Sequence, residues 1–267
     1  MKQSKLFRAL LLIMVVGAFA AMAVGSGTSD TPATENTNST VSNADQVGNT
    51  DSSASNTDQK ENTSDSIEKA EYSVGDTDLK VWKDSIGTQW VKVAVPIKNI
   101  GNVNLYLETS SIDIENADGS LADTFSMVSA FPQIIKPGET AYYYQETTYD
   151  GKNTEGLKVV PHVKAKKSKV DLIRFDVSDL QIKDDTLGVK VLGHVKNTTD
   201  KEESMVYIIA NFFDKNGKFI EQHFTILTDE LPAGEKVGFE INSLTSKLSE
   251  SDIASYEVIA FPFQYQF

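Results

Sequence analysis

The chain contains no cysteine in 267 residues. That absence excludes disulfides, thiol nucleophiles, cysteine-ligated zinc and iron–sulfur clusters. It also excludes the lipid-carrying cysteine of a lipoprotein, so any folded part must hold together on an apolar core of its own. Histidine is nearly as scarce. His162, His194 and His223 are the whole set; they lie far apart, form no HExxH or His-x-His pair, and read as surface residues rather than zinc ligands. A nucleophile elbow, a phosphate-cradling glycine loop and a dinucleotide fingerprint are missing too. So is basic charge: 25 Lys and Arg stand against 38 Asp and Glu, a net charge of −13. A surface of that sign repels phosphate backbones and anionic lipid heads, which removes nucleic acid as a partner.

The few basic residues are placed tellingly at the start. Lys2, Lys5 and Arg8 precede sixteen mostly apolar residues, Ala9 to Val24, closed by Gly25, Ser26 and Gly27. A charged start, a short apolar middle and small residues at the end make the plan of a secretory signal, with Ala21-Met22-Ala23 as an A-x-A cleavage site. Sixteen residues fall short of the roughly 20 that a spanning helix wants. Residues 1–23 are therefore expected to be a signal peptide or, uncleaved, an N-terminal anchor and the chain's one link to a membrane.

Apolar residues then almost vanish. From Thr28 to Ser66, 29 of 39 residues are Ser, Thr, Asn, Asp or Gln, with no aromatic and no Leu, Ile, Met or Phe. Such a stretch cannot bury enough surface to offset its chain entropy. Residues 24–66 are expected to be a disordered polar linker, a spacer that lifts the folded part off a surface.

The remainder reads as one β pattern written twice. Val91-Lys92-Val93-Ala94-Val95-Pro96-Ile97-Lys98-Asn99 matches Val189-Lys190-Val191-Leu192-Gly193-His194-Val195-Lys196-Asn197 at an offset of 98 residues. Asp118-Gly119 falls on Asn216-Gly217 at the same offset, and Pro137-Gly138-Glu139 on Ala233-Gly234-Glu235 at 96. Val91, Val93, Val95 and Ile97 point one way and Lys92, Ala94, Pro96 and Lys98 the other, the period-two alternation of a half-buried strand. Asp-Gly and Asn-Gly predict hairpin turns with positive φ at both central residues. Pro96 lacks a ladder donor and should sit on an edge or at a bulge. A short covering helix is expected within Ser243–Ser255, where Leu244, Leu248 and Ile253 are suitably spaced, and the lysine-rich run Lys164–Lys169 is expected to be a solvated junction. The fold class is therefore all-β: two tandem immunoglobulin-like β-sandwich domains, 67–165 and 166–267, each about the size of one such sandwich.

The second copy combines Gly193-His194-Val195-Lys196-Asn197, Phe213-Asp214 before the turn glycine Gly217, and Ala233-Gly234-Glu235. In that order these residues resemble the FxLYD type of bacterial immunoglobulin-like domain over about Asp184 to Asn242. The first copy is more divergent, with Glu115-Asn116 where the aromatic-Asp pair would stand. The resemblance implies a sandwich fold on an exported or cell-envelope protein of a bacterium. It implies no common activity, and the motif residues look structural.

Sites of chemistry are hard to nominate. The turns around Asp118 and Asp214 imitate the middle of a calcium loop, yet Ile114 and Phe212 stand at its first position and Phe125 and His223 at its last. No catalytic, cofactor-binding or metal-ligating residue is assigned. A partner surface is suggested by two features. The stretch Met205–Phe213 is apolar on both faces, with Met205, Tyr207 and Ile209 on the side away from Val206, Ile208 and Phe212, where a sandwich strand should be wet; either the other domain or the Ser243–Ser255 segment covers it, or it is an exposed patch that binds a partner. Tyr142-Tyr143-Tyr144 must turn rings outward, and Tyr142 and Tyr144 are candidate anchors. The expectation is a non-catalytic, extracytoplasmic binding or spacer protein, cofactor-free, whose partner is an envelope protein or wall polymer. The alternative is a secreted enzyme, or enzyme accessory domain, acting on cell-wall polymer, which predicts a cleft lined by paired carboxylates and an aromatic.

Overall fold

Alternation of apolar and polar residues dominates the chain after residue 67, and the structure turns it into strands. The computed structural model describes residues 68–186, 188–243 and 248–264. The expected signal segment (1–23) and linker (24–66) lie outside the described residues. The N-terminal half comprises β1 (Tyr72–Val74), β2 (Asp78–Lys83), β3 (Gln89–Asn99), β4 (Leu105–Leu107), β5 (Ser110–Glu115), β6 (Leu121–Val128), β7 (Ala130–Phe131), β8 (Ile134–Ile135), β9 (Thr140–Thr148), β10 (Lys158–Pro161) and β11 (Ala165–Lys167). The C-terminal half comprises β12 (Asp176–Asp185), β13 (Gly188–Lys196), β14 (Val206–Phe213), β15 (Phe219–Leu227), β16 (Lys236–Asn242) and β17 (Ser255–Pro262). Every pairing between these strands is antiparallel. The architecture is all-β and sandwich-like.

In the N-terminal half, β3 is the central strand of a sheet ordered β1-β3-β9-β7, and β2 pairs with the same edge of β3 as β1. Val91, Val93, Val95 and Ile97 all lie fully inside, packed with Tyr143 of the same sheet and with Leu105, Leu107, Ile112 and Ile114 from the sheets opposite, ordered β10-β5-β6 and β11-β4-β8. The C-terminal half stacks β12-β13-β16 on β15-β14-β17. Its separate core joins Val189, Val191 and Val195 to Val206, Ile208, Ala210 and Phe212. At about 1.5–3 kcal/mol for each fully buried aliphatic or phenyl side chain, either core outweighs any single polar contact described below.

Several local expectations are refined. Pro96 is not at a sheet edge. Its carbonyl accepts the Gly75 N–H (2.8 Å), so its missing N–H points to the same side, where the chain leaves β1 at Val74↔Ile97 and joins β2 only at Asp78↔Ala94. The break between two partner strands tolerates the proline as an edge would. The hairpins at Asp118-Gly119 and Asn216-Gly217 form where expected, but only the glycines have positive φ (84° and 73°). Gly119 N–H donates to Asn116 O and Gly217 N–H to Asp214 O, both at 2.9 Å. Each is a tight turn followed by a left-handed glycine, the three-residue hairpin loop.

Two further expectations change. Ala165–Lys167 is not junction but strand β11, paired with β4, so the expected boundary at 165/166 falls within it. Of Ser243–Ser255, residue Leu244 lies outside the described residues, and the described part forms a single 3-10 turn, Glu250–Asp252. Ser249 and Asp252 cap that turn reciprocally, Ile253 is already extended, and Ala254 N–H ties the chain back to Phe213 O at 2.9 Å. Leu248 and Ile253 still pack on the second core.

Candidate functional site

The residues that spell the repeated pattern are committed to the fold. Asn99 ends β3 and Asn197 directly follows β13, and both are fully buried. Asn99 Nδ2 donates to Val103 O (2.8 Å) and Ile135 O (3.1 Å), while its Oδ1 accepts Gly101 N–H (3.0 Å). Asn197 Nδ2 donates to Lys201 O and Leu231 O (both 2.8 Å), while its Oδ1 accepts Thr199 N–H (2.9 Å). Their backbones grip the Gly-Glu turns. Asn99 N–H donates to Glu139 O and Gly138 N–H to Asn99 O; Asn197 N–H donates to Glu235 O and Gly234 N–H to Asn197 O. Lys-Asn and x-Gly-Glu are thus two ends of one clamp, present in both halves, and explain each other's spacing.

The residues proposed from sequence as a partner surface lie in or beside the seam between the halves. On β14, Tyr207, Ile209, Asn211 and Phe213 form the face opposite the core. Tyr207 stacks on Phe131 of β7 with ring centroids 5.6 Å apart, and Phe131 also meets Phe224. Tyr142 of β9 stacks on Phe219 of β15 at 4.0 Å, and Tyr144 meets the edge of the same ring at 5.9 Å. Ile209 is fully buried, whereas Met205, with φ 51°, keeps 40% of its surface exposed. Burial, reinforced by the charges of Glu221 and Glu146, pushes the Tyr144 hydroxyl well above the ordinary tyrosine range.

Polar contacts seal the seam. Lys92, placed by the alternation on the face away from Val91 and Val93, is buried and donates from Nζ to Glu221 Oε1 (2.8 Å) and Ile220 O (3.3 Å). His223 lies 3.2 Å from the other Glu221 oxygen. Arg174 donates to Ile134 O (2.7 Å) and lies over the Phe261 ring. Lys218 pairs with Asp78 (2.7 Å), and Gln222 donates to Phe131 O (3.3 Å). Sequence reasoning missed Lys92 and Glu221, because alternation gives the side of the sheet and not what covers it.

Beside the seam opens a groove of about 610 Å³. One wall is the outer face of the β2–β3–β9 sheet, with Lys80, Trp82, Lys92 and Glu146; the other carries Phe219, Glu221 and Asp252 from the C-terminal half. Trp82 is directly opposite Trp90 in the β2–β3 register, so the two indoles, both half-buried, share one sheet face. Trp90 donates from Nε1 to Asp84 Oδ2 (3.0 Å), the bond that chiefly holds the Asp84 carboxyl below its usual range.

The remaining candidates of the sequence are ordinary in place. His162 pairs with Asp113 (2.7 Å) and His194 with Asp179 (3.0 Å) on the surface. Asp214 accepts the backbone N–H of Lys218 and Asn216, which lowers its pKa, and Asp118 does the same with Ser120 hydroxyl and N–H. Among the described residues no three His, Asp or Glu side chains gather as metal ligands. No family model matches the chain, and no curated protein is significantly similar to it.

Proposed function

We propose that the chain is an exported, non-catalytic binding and spacer protein of a bacterial cell surface, built of two tandem immunoglobulin-like sandwiches of the FxLYD type. The observation that carries this reading is the pair of asparagine clamps. The residues by which the two copies resemble one another hold turns and strand ends. What repeats is thus a scaffold and not a reaction centre. The signal-like start and polar stretch of residues 1–66 support export and display, and the seam joins the sandwiches into a stalk head with open edges and loops for contact. The partner is an envelope protein or a wall polymer.

The test is retention of the full chain on isolated cell-wall material and envelope membranes. Selective retention on envelope material over an inert matrix is the expected result; equal, trace retention on both overturns the binding role and leaves only a spacer. One observation favours the second reading, an accessory domain or enzyme on wall polymer: the groove brings Glu146, Glu221 and Asp252 near Trp82. Glu221 is held there by Lys92 and His223. Release of soluble sugar from wall polymer by the purified chain, lost in Glu146→Gln, would favour the enzyme.

A further inference from the structure

Strand β15 is the first in a sheet ordered β15-β14-β17, so it has a strand neighbour on one side only. Which of its backbone groups face the open side follows from the ladder. Phe263 N–H donates to Met205 O at 3.1 Å, continuing the β14–β17 register by one step. Met205, Tyr207 and Ile209 therefore exchange hydrogen bonds with β17, and the residues between them with β15. Pro262, which has no N–H, stands opposite Val206, as that alternation requires. The bonded residues of β15 are then Leu227, Thr225 and His223, the partners of Val206, Ile208 and Ala210. Phe224 and Ile226 turn their N–H and C=O groups outward, where no described residue takes them up.

Other edges of the molecule carry the usual guards against pairing. Lysines stand on β2 and β11, Pro161 on β10, and the β12 ladder breaks between Ser178 and Gln181. The open edge of β15 has none of these. From Gln222 to Thr228 there is no Lys, Arg, Asp, Glu or Pro, the ladder is unbroken, and Phe224 keeps 44% of its surface exposed. Free donors and acceptors in a row are a template for another strand. Charge and symmetry say which. Copies of a chain with net charge −13 repel one another, and the repulsion is least where the meeting surfaces are uncharged. In antiparallel pairing about a two-fold axis at Thr225, Phe224 of one copy stands opposite Ile226 of the other. Both such pairs are of the hydrogen-bonded kind, so one isologous contact satisfies the free groups of all four residues and covers the Phe224 ring. We propose that a second copy of this chain pairs with β15 edge to edge, joining two C-terminal sandwiches through one continuous sheet. This self-association goes beyond the binding role and does not rest on it. The contact is small, so the dimer is a weak, reversible one.

Sedimentation of the purified full chain between about 1 μM and about 1 mM should show a monomer–dimer equilibrium. Salt should tighten it, because screening removes repulsion between the acidic copies. Ile226→Pro deletes an N–H that the monomer leaves unbonded, and Phe224→Lys sets a guard on the edge. Each should weaken the dimer about tenfold or more. The natural chain has no cysteine, so a single introduced one reports the register. In the dimer two copies of Thr225 face each other as a non-hydrogen-bonded pair, about 4.5 Å between Cα atoms, within disulfide reach. Thr225→Cys should therefore link into dimers under mild oxidation much faster than Ile86→Cys, placed on the exposed β2–β3 turn. If Ile226→Pro unfolds, Phe224→Lys and the two cysteine variants still decide. A monomer at every concentration overturns the proposal. So does a dimer that Phe224→Lys leaves intact, or Thr225→Cys linking no faster than Ile86→Cys.

Discussion

At the scale of single residues, two buried asparagines govern how each half closes. Each bonds two carbonyls and one backbone N–H at its corner, three hydrogen bonds that a smaller apolar side chain cannot replace. Unpaired buried polar groups cost about 1–3 kcal/mol each. Asn99→Ala and Asn197→Ala are therefore each expected to lower unfolding free energy by about 2–4 kcal/mol, read as a fall in urea midpoint at unchanged slope. Asn→Asp should be no milder, because a carboxylate cannot donate to those carbonyls. Tyr143 sets a limit of another kind. Its hydroxyl donates to Glu108 O at 2.6 Å, it is fully buried, and burial pushes its pKa up to about 12. In the unfolded chain it ionises near 10. The stability it contributes is complete below pH 10 and is lost as pH rises from about 10 through 12, a loss of about 3 kcal/mol at two pH units. Tyr143→Phe should flatten that alkaline fall, measured by urea unfolding between pH 9 and about 12.

At the scale of elements, strands were legible and their neighbours were not. Alternation in Val91–Asn99 and Val189–Asn197 marked the inward faces of β3 and β13 correctly, since burial on one face of a sheet leaves a period-two trace. Turn glycines marked the hairpins. Lys-Asn and Gly-Glu were legible as a repeat but not as a clamp, because nothing in one dimension says that residues 40 apart share hydrogen bonds. Apolar residues on both faces of β14 did signal a covered outer face. Of what covers it, Tyr142 was marked by the tyrosine run, whereas Phe131 had no signal, and the Trp82–Lys80 wall of the groove had none either. Phe219 lies at that cover, stacked on Tyr142 and touched by Tyr144 and Phe213. Phe219→Ala should cost about 3–5 kcal/mol and expose Tyr142, seen as greater reactivity of that ring to nitration, whereas Phe219→Leu should cost less than half as much.

At the scale of the whole molecule, the seam decides whether the two cores act separately. Each half has its own apolar cluster, so two independent unfolding steps would be natural without coupling. The coupling is partly aromatic contact, which tolerates slight sliding, and partly the buried Lys92–Glu221 pair, which does not. Removing one member leaves a buried charge unmatched, at about 3–5 kcal/mol; replacing both by apolar side chains of similar size is often close to neutral. Lys92→Met alone should thus separate the halves. Calorimetry should change from one transition to two, with the C-terminal half, which retains Glu221 beside His223, melting first. In Lys92→Met with Glu221→Met the single transition should return. Two transitions in the unaltered chain would mean that the seam contributes too little to couple the cores. A double variant as damaged as the single one would mean that the ion pair, and not the apolar contact around it, holds the halves together.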